Sequence, residues 1–521
     1  MNLRFFFPVF LFCLLCSIAV DAQTLPVGLF ESTEEAFRRQ QLLVKDTTGV
    51  SYMVRPINVA PKKEGKMIIY PLPLVWKNQI NAHHPYGMND GSMIASKGYQ
   101  TQLSGGFFAK AGPVSIQFRP EVVYAENNDY TEIQERIHGD RFTLAYADFS
   151  NSIDLPSRVG DGPYSKFDWG QSNIRVTFDP VSVGLSNENL WWGPGSRSSL
   201  VMSNNAAGFK HLTLNTSKPV KTAIGSFEAQ IIAGRLENSG VAKLEGELYT
   251  EKPDDWRYIN AMIFTYQPKW VPGLFIGFDR SFVVYNKDMG NGFSDYLPIF
   301  SSGTKKNLDA AGPNGEHTED QRKRDQYFSA FARWVLPESK AEIYGQFGRN
   351  DFPWDIRDAL SEPEHSRAYI VGFKKLVSLI PKDTYIQFGV ELTQMEGSNT
   401  GKIRAQPVWY KHRLVPAGYT NKGQVLGAGI GPDANLQSFE VSWINGLKRI
   451  GLRFENLTNN ASLSSFDKKW WDLSFAGKFD WNWKDFLLSS QVAYVRSVNY
   501  QYADPGANNL QLQFGMLYDF K

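Results

Sequence analysis

Cysteine is almost missing from this chain. Of 521 residues only Cys13 and Cys16 carry a thiol, and both lie in the apolar run from Phe5 to Val20. Arg4 precedes that run and the small residues around Ala22 follow it, so residues 1–22 read as a secretory signal peptide. A spanning helix would need about 20 apolar residues. Leu15 stands before Cys16 where a lipoprotein signal calls for a small residue. Cleavage after Ala22 leaves a chain without cysteine. That excludes a disulfide-stapled module and any zinc or iron–sulfur site built on thiolates. Charge of one sign is also lacking: 55 basic residues face 53 acidic ones, a net +2, which excludes bulk attraction to nucleic acid. Beyond Val20 no apolar run is long enough for a transmembrane helix. If the mature chain sits in a membrane, it must be a β-barrel.

Aromatic residues and period-two alternation are what the sequence does have. Phe, Tyr and Trp make up 14% of the chain. Near the C-terminus Leu510, Leu512, Phe514, Met516, Tyr518 and Phe520 fall on one face, and Gln511, Gln513, Gly515, Leu517 and Asp519 on the other. The pattern has the length of a tilted transmembrane strand, about 9–11 residues, and ends on an aromatic, as strands read by the β-barrel assembly machinery do. Trp471, Leu473, Phe475, Gly477 and Phe479 alternate with Asp472, Ser474, Ala476, Lys478 and Asp480. Phe439, Val441 and Trp443 run to an Asn445-Gly446 turn, and Ile450, Leu452 and Phe454 return. Trp470, Trp471, Trp481 and Trp483 bracket one strand as an interfacial girdle would. A soluble sandwich would have shorter strands. The reading is all-β: a transmembrane outer-membrane barrel over 71–521, preceded by an N-terminal periplasmic segment, 23–70. In that segment Ser32 and Glu35 have capping-box spacing for a short helix running to Val44. After Pro71 little helical periodicity is found. Polar stretches at 126–168, 296–325 and 351–367 read as long loops, extracellular or folded into the lumen.

The search for catalytic chemistry is mostly negative. Gly427, Gly429 and Gly431 suggest a dinucleotide loop, but Pro432 breaks the fingerprint. The seven histidines have no zinc spacing, and the adjacent His83 and His84 would point apart on a strand. Glu362 and Glu364 form a carboxylate pair by proximity only. No metal or redox cofactor is implied. The segment Asn189-Leu190-Trp191-Trp192-Gly193-Pro194-Gly195 stands apart, with Arg197, Asn204 and Asn205 just downstream. Aromatic faces pack on the C–H faces of sugars, while Asn and Arg bond hydroxyls or acidic groups. Membership of an interfacial belt is the other reading of the two tryptophans.

These residues, with Ser203 to Ala206, Gly348 to Asp351, Arg357 to His365 and Gly418 to Gly427, resemble the Wzi capsule-assembly family from about residue 70 to the C-terminus. The resemblance implies an outer-membrane barrel of about 18 strands, acting without an enzymatic step as a lectin for capsular polysaccharide. Family members can carry a periplasmic helical bundle, where this sequence shows one short helix. The expected partners are capsular or extracellular polysaccharide, outer-membrane lipid and the assembly machinery, with no nucleic acid. The candidate polysaccharide-binding residues are Trp191, Trp192, Arg197, Asn204 and Asn205, then Trp354, Arg357, His365, Tyr419 and Lys422. A diffusion porin and an outer-membrane glycan hydrolase are the competing readings. Channel conductance would distinguish the first, and release of reducing ends the second.

Overall fold

The protein is described here from a computed structural model covering residues 23–43, 51–59, 61, 63–136, 139–301, 323–350, 356–381, 383–398, 406–463 and 468–520. The expected signal peptide lies outside these residues. Eighteen antiparallel strands close into one barrel. They are β1 (Met67–Asn81), β2 (Gly98–Ala111), β3 (Val114–Phe118, continued by Glu121–Ala125), β4 (Tyr164–Asp168, continued by Asn173–Phe178), β5 (Val181–Ser186) and β6 (His211–Thr216, continued by Val220–Lys221). Next come β7 (Gly225–Leu236), β8 (Arg257–Pro268), β9 (Leu274–Tyr285), β10 (Asp325–Leu336), β11 (Ala341–Asn350) and β12 (Arg367–Ser378). The last six are β13 (Thr384–Gln394), β14 (Asn435–Asn445), β15 (Lys448–Thr458), β16 (Trp471–Trp483), β17 (Phe486–Val498) and β18 (Ala507–Tyr518). β18 closes on β1, from Gln511 opposite Asn81 to Tyr518 opposite Leu74.

Alternation sets the faces. Leu510, Leu512 and Phe514 are exposed, while Asn509, Gln511 and Leu517 are buried. On β16, Trp471, Phe475 and Phe479 point out, and Asp472, Lys478 and Asp480 are buried inside. Exposed apolar side chains ring the barrel, which is the surface that hydrocarbon wets. Tight connections such as Asn445 to Lys448, with Gly446 at φ 60°, gather at one end. The long connections gather at the other.

Four sequence expectations change. Helix α1 spans Glu31–Leu43, so Ser32 lies inside it and the capping box does not form. Glu35 instead salt-bridges Lys374 on β12 at 2.7 Å. The described residues of 23–59 do not stand apart from the barrel: α1 lies in the lumen, because its charges match buried charges on the inner wall. Arg38 pairs with Glu342 at 2.5 Å, and Glu31 meets Arg449, Arg453 and Lys478 at 3.0, 2.5 and 2.6 Å. The stretch 126–168 is not all loop. It holds helix α2 (Asp140–Ser152), which buries Phe142, Tyr146 and Phe149, and it ends in the first part of β4. Finally, His83 and His84 lie beyond the end of β1, so strand alternation does not govern them, and their Nδ1 atoms approach to 3.0 Å.

Loops from the open end fill the upper lumen. Leu190, Trp192, Leu200, Trp409, Tyr410, Tyr419 and Leu426 pack on Ile232, Ile259, Ile263, Tyr285 and Tyr327 of the wall, forming a core like that of a soluble domain. Gly427 permits this packing, because a Cβ there would collide with the Leu200 carbonyl and the Tyr410 hydroxyl.

Candidate functional site

The Trp191–Trp192 turn lies inside the barrel. The two residues pair as a short ladder with Val54 and Arg55 of the lumenal segment. Trp192 is fully buried, and its Nε1 donates to Gln230 Oε1 at 3.1 Å. Trp191 donates to the Gly195 carbonyl at 3.1 Å, and the Arg55 guanidinium lies 4.7 Å over its ring. Gly193 has φ 107°, a conformation that side chains rarely adopt. The chain that follows wraps an anion: backbone N–H groups of Ser196, Arg197 and Ser198 donate to the Glu391 carboxylate at 2.6, 3.0 and 2.8 Å. Convergent amides of this kind form an anion nest. Here a wall carboxylate fills it and fixes the turn.

Arg197 forks onto Glu455 of β15, Nε to Oε1 at 2.7 Å and Nη2 to Oε2 at 3.1 Å. Asn204 donates to the Asn89 carbonyl at 2.7 Å, and Asn205 to the Val425 carbonyl at 3.0 Å. Trp191, Arg197 and Asn204 converge on a cavity of about 220 Å³ between α1, the loop 86–93 and the wall of β15 to β18 and β1. That wall contributes Gln79, Ser474, Ser489, Gln491, Gln511 and Gln513. Asp90 faces the same space, and burial pushes its carboxyl up to about 6 against the pull of Lys77 and Arg197. Glu31 lines it too. Burial would raise Glu31, but Arg453, Lys478 and Arg449 outweigh that and hold it well below the usual carboxylate range.

The other candidates are not brought to this cavity. Tyr419 is buried in the lumenal core, its hydroxyl donating to Ser281 Oγ at 2.9 Å and its ring 4.3 Å from that of Tyr327. Lys422, half-buried, forms an ion pair with Asp168. Arg357 is exposed on a short helix, Ile356–Ser361. His365 lies 4.0 Å from Glu362, and Glu364 pairs with Arg367. Trp354 lies outside the described residues. Among the described residues no cluster of three or more His, Cys, Asp or Glu side chains could hold a metal ion. The sequence reading missed Asp90 and the glutamines. Their one signal was that the inner face of β17, β18 and β1 carries amides where β14 to β16 carry charges.

The profile of the family described as capsule assembly protein Wzi matches residues 82–512. The chain belongs to the Wzi family. Among solved structures, the fold is similar to that of Wzi from Escherichia coli, an outer membrane protein involved in group 1 capsule assembly and a carbohydrate-binding β-barrel. The TM-score is 0.61 at 12% identity, over 96% of this chain and 100% of that one. OccAB2 of Acinetobacter baumannii (TM-score 0.44, 11% identity, 88% of this chain, 100% of that one) and a BenF-like porin of Pseudomonas fluorescens (0.39, 8%, 87%, 99%) are more distant. No curated protein sequence matches the chain. The Wzi match begins at residue 82, so α1 and the segment pairing with Trp191–Trp192 precede the matched span.

Proposed function

We propose that this Wzi-family barrel binds capsular or extracellular polysaccharide and holds or assembles it at the cell surface, with the long connections facing outside and no bond broken in the glycan. The family match together with a lumen filled from both ends carries this reading. α1 is ion-paired to the wall below, and the loop core occupies the space above, so the molecule is built as a plugged platform rather than an open conduit. The E. coli protein of similar fold is a carbohydrate-binding barrel, which supports the ligand class. A polymer offers many repeats to many barrels, so weak sites add through effective concentration. Deleting the gene and measuring how capsule partitions between cells and medium tests the proposal: capsule should shift into the medium. Unchanged partition would remove the attachment role. Large stable single-channel openings of the purified protein would favour the porin, and reducing ends released from purified capsule the hydrolase.

A further inference from the structure

The lumenal cavity has a chemical bias. At about 220 Å³ it has room for on the order of ten waters. The wall there is small: Ser474, Ala476, Ser489 and Ala493 line it, while the Phe30 ring covers Gly515. Its cations are occupied. Arg197 is forked onto Glu455; Arg449, Arg453 and Lys478 surround Glu31; Lys77 donates to the Gly28 carbonyl. Several other polar groups are not. Among the described residues the side chains of Gln491 and Ser489 and the Asp90 carboxylate have no hydrogen-bond partner. The Asn89 Oδ1 is buried without a partner. Trp191 supplies an aromatic wall.

We propose that this cavity is a saccharide subsite that takes a single uncharged sugar unit, distinct from any contact the polymer makes with the long connections. An acceptor-only carboxylate can take two vicinal hydroxyl donors, and Ser489 and Gln491, side by side on the inner face of β17, complete the bonds of a pyranose. With no unpaired cation on offer and Asp90 facing the ligand, a uronate pays a charge penalty that its neutral analogue does not. The cavity is bounded along the barrel axis on both sides, first toward the tight-turn end. There the floor is an apolar seal of Leu29, Phe30, Val75, Leu487 and Leu517. The roof is pinned, with the Tyr86 carbonyl accepting from Gln79, Asn81 and Gln511 at 2.9, 2.9 and 2.8 Å.

The inference rests on the reading that the barrel handles saccharide, and its test is separate from capsule partition. Saturation transfer from the full protein in detergent to D-galactose, N-acetyl-D-glucosamine and D-glucuronate is compared for the parent, Asp90→Asn, and a cavity-filling Ser489→Leu/Gln491→Leu variant. Each variant is first checked for heat-modifiable electrophoretic mobility, which reports barrel assembly. Transfer to at least one neutral sugar is expected, with glucuronate several-fold weaker. The filled variant should fall to background, and Asp90→Asn several-fold. No transfer from the parent to either neutral sugar overturns the subsite, even where capsule partition shows the protein to be needed. So does glucuronate equal to the neutral sugars, or transfer unchanged in Asp90→Asn. If the filled variant fails to assemble, the isosteric Asp90→Asn decides alone.

Discussion

Trp192 has no face left for a ligand. Its ring is buried among lumenal loops and its one donor is spent on Gln230. Trp192→Ala should therefore act as a core truncation, costing about 3–5 kcal/mol in urea unfolding of the barrel. Trp192→Phe should cost less, losing mainly one hydrogen bond of about 1 kcal/mol. Arg197 behaves similarly at its guanidinium, because Glu455 is 7% exposed and would be left without its fork. Arg197→Ala should destabilise by roughly 3 kcal/mol, and Arg197→Lys should rescue only part, since an ammonium cannot reproduce two parallel bonds. Both are read as shifts in the urea midpoint at constant slope. Loss of capsule retention in either variant is then interpretable only after correction for folded protein. Trp191→Ala is the more telling change, because Trp191 lines the cavity. If it assembles fully and still keeps capsule on cells, the turn is purely structural for retention.

At the scale of elements, α1 is held by charge while the cavity roof carries a buried acid, and the two groups respond oppositely to pH. Glu31 is depressed in the folded state. Its contribution is present above the ordinary glutamate value, about 4.3, and is lost as pH falls through the lower folded value. Asp90 is raised to about 6. Between about 4 and 6 the folded state binds more protons there than the unfolded chain, so its contribution is present at acid pH and fades as pH rises. Limited proteolysis of the segment 23–59 should therefore show no release of α1 between pH 5 and 8. Thermal unfolding should show a stability gain on acidification from 6 to 4 that Asp90→Asn abolishes. Strands β7 to β9 show why some elements were hard to read. Ile259, Ala261 and Ile263 face a packed lumen while Met262 and Phe264 face outward, so both faces are apolar and alternation disappears. In β16 the inner face carries Asp472, Lys478 and Asp480, and the alternation is plain.

For the whole molecule, the register of the closing seam is the sharpest test. Phe514 is exposed on the outer face, and its neighbour Gln513 lines the lumenal cavity. Arg at position 514 should cost roughly 2–4 kcal/mol of barrel stability, and Arg at 513 far less. Assembled yield of Phe514→Arg beside Gln513→Arg measures the difference, and equal yields would contradict the closure of β18 on β1. Closure also has a consequence for chemistry. With eighteen strands sealed edge to edge and the lumen packed, polar side chains that would face bulk water in an open sheet are enclosed and must find partners. That is why so many inner-wall charges are paired with α1.

The class of the molecule followed from local chemistry. A chain whose thiols lie only in its expected signal peptide, and whose strands alternate apolar with polar, has one way to satisfy its backbone in a membrane, and the C-terminal strand from Leu510 to Tyr518 showed both faces without help from any neighbour. The motif around Trp191 and Trp192 was visible for the same reason, since it is contiguous. What the motif faces was settled only by the fold. Glu391 and Glu455, which position Arg197 and its turn, lie 194 and 258 residues away from it. Asp90, Gln491 and Gln511 meet at one cavity only because the barrel closes and α1 enters it. Period-two patterning reports which side of a strand is wet or greasy. It carries no information about what fills the space that the strands enclose, because that depends on pairings between distant parts of the chain.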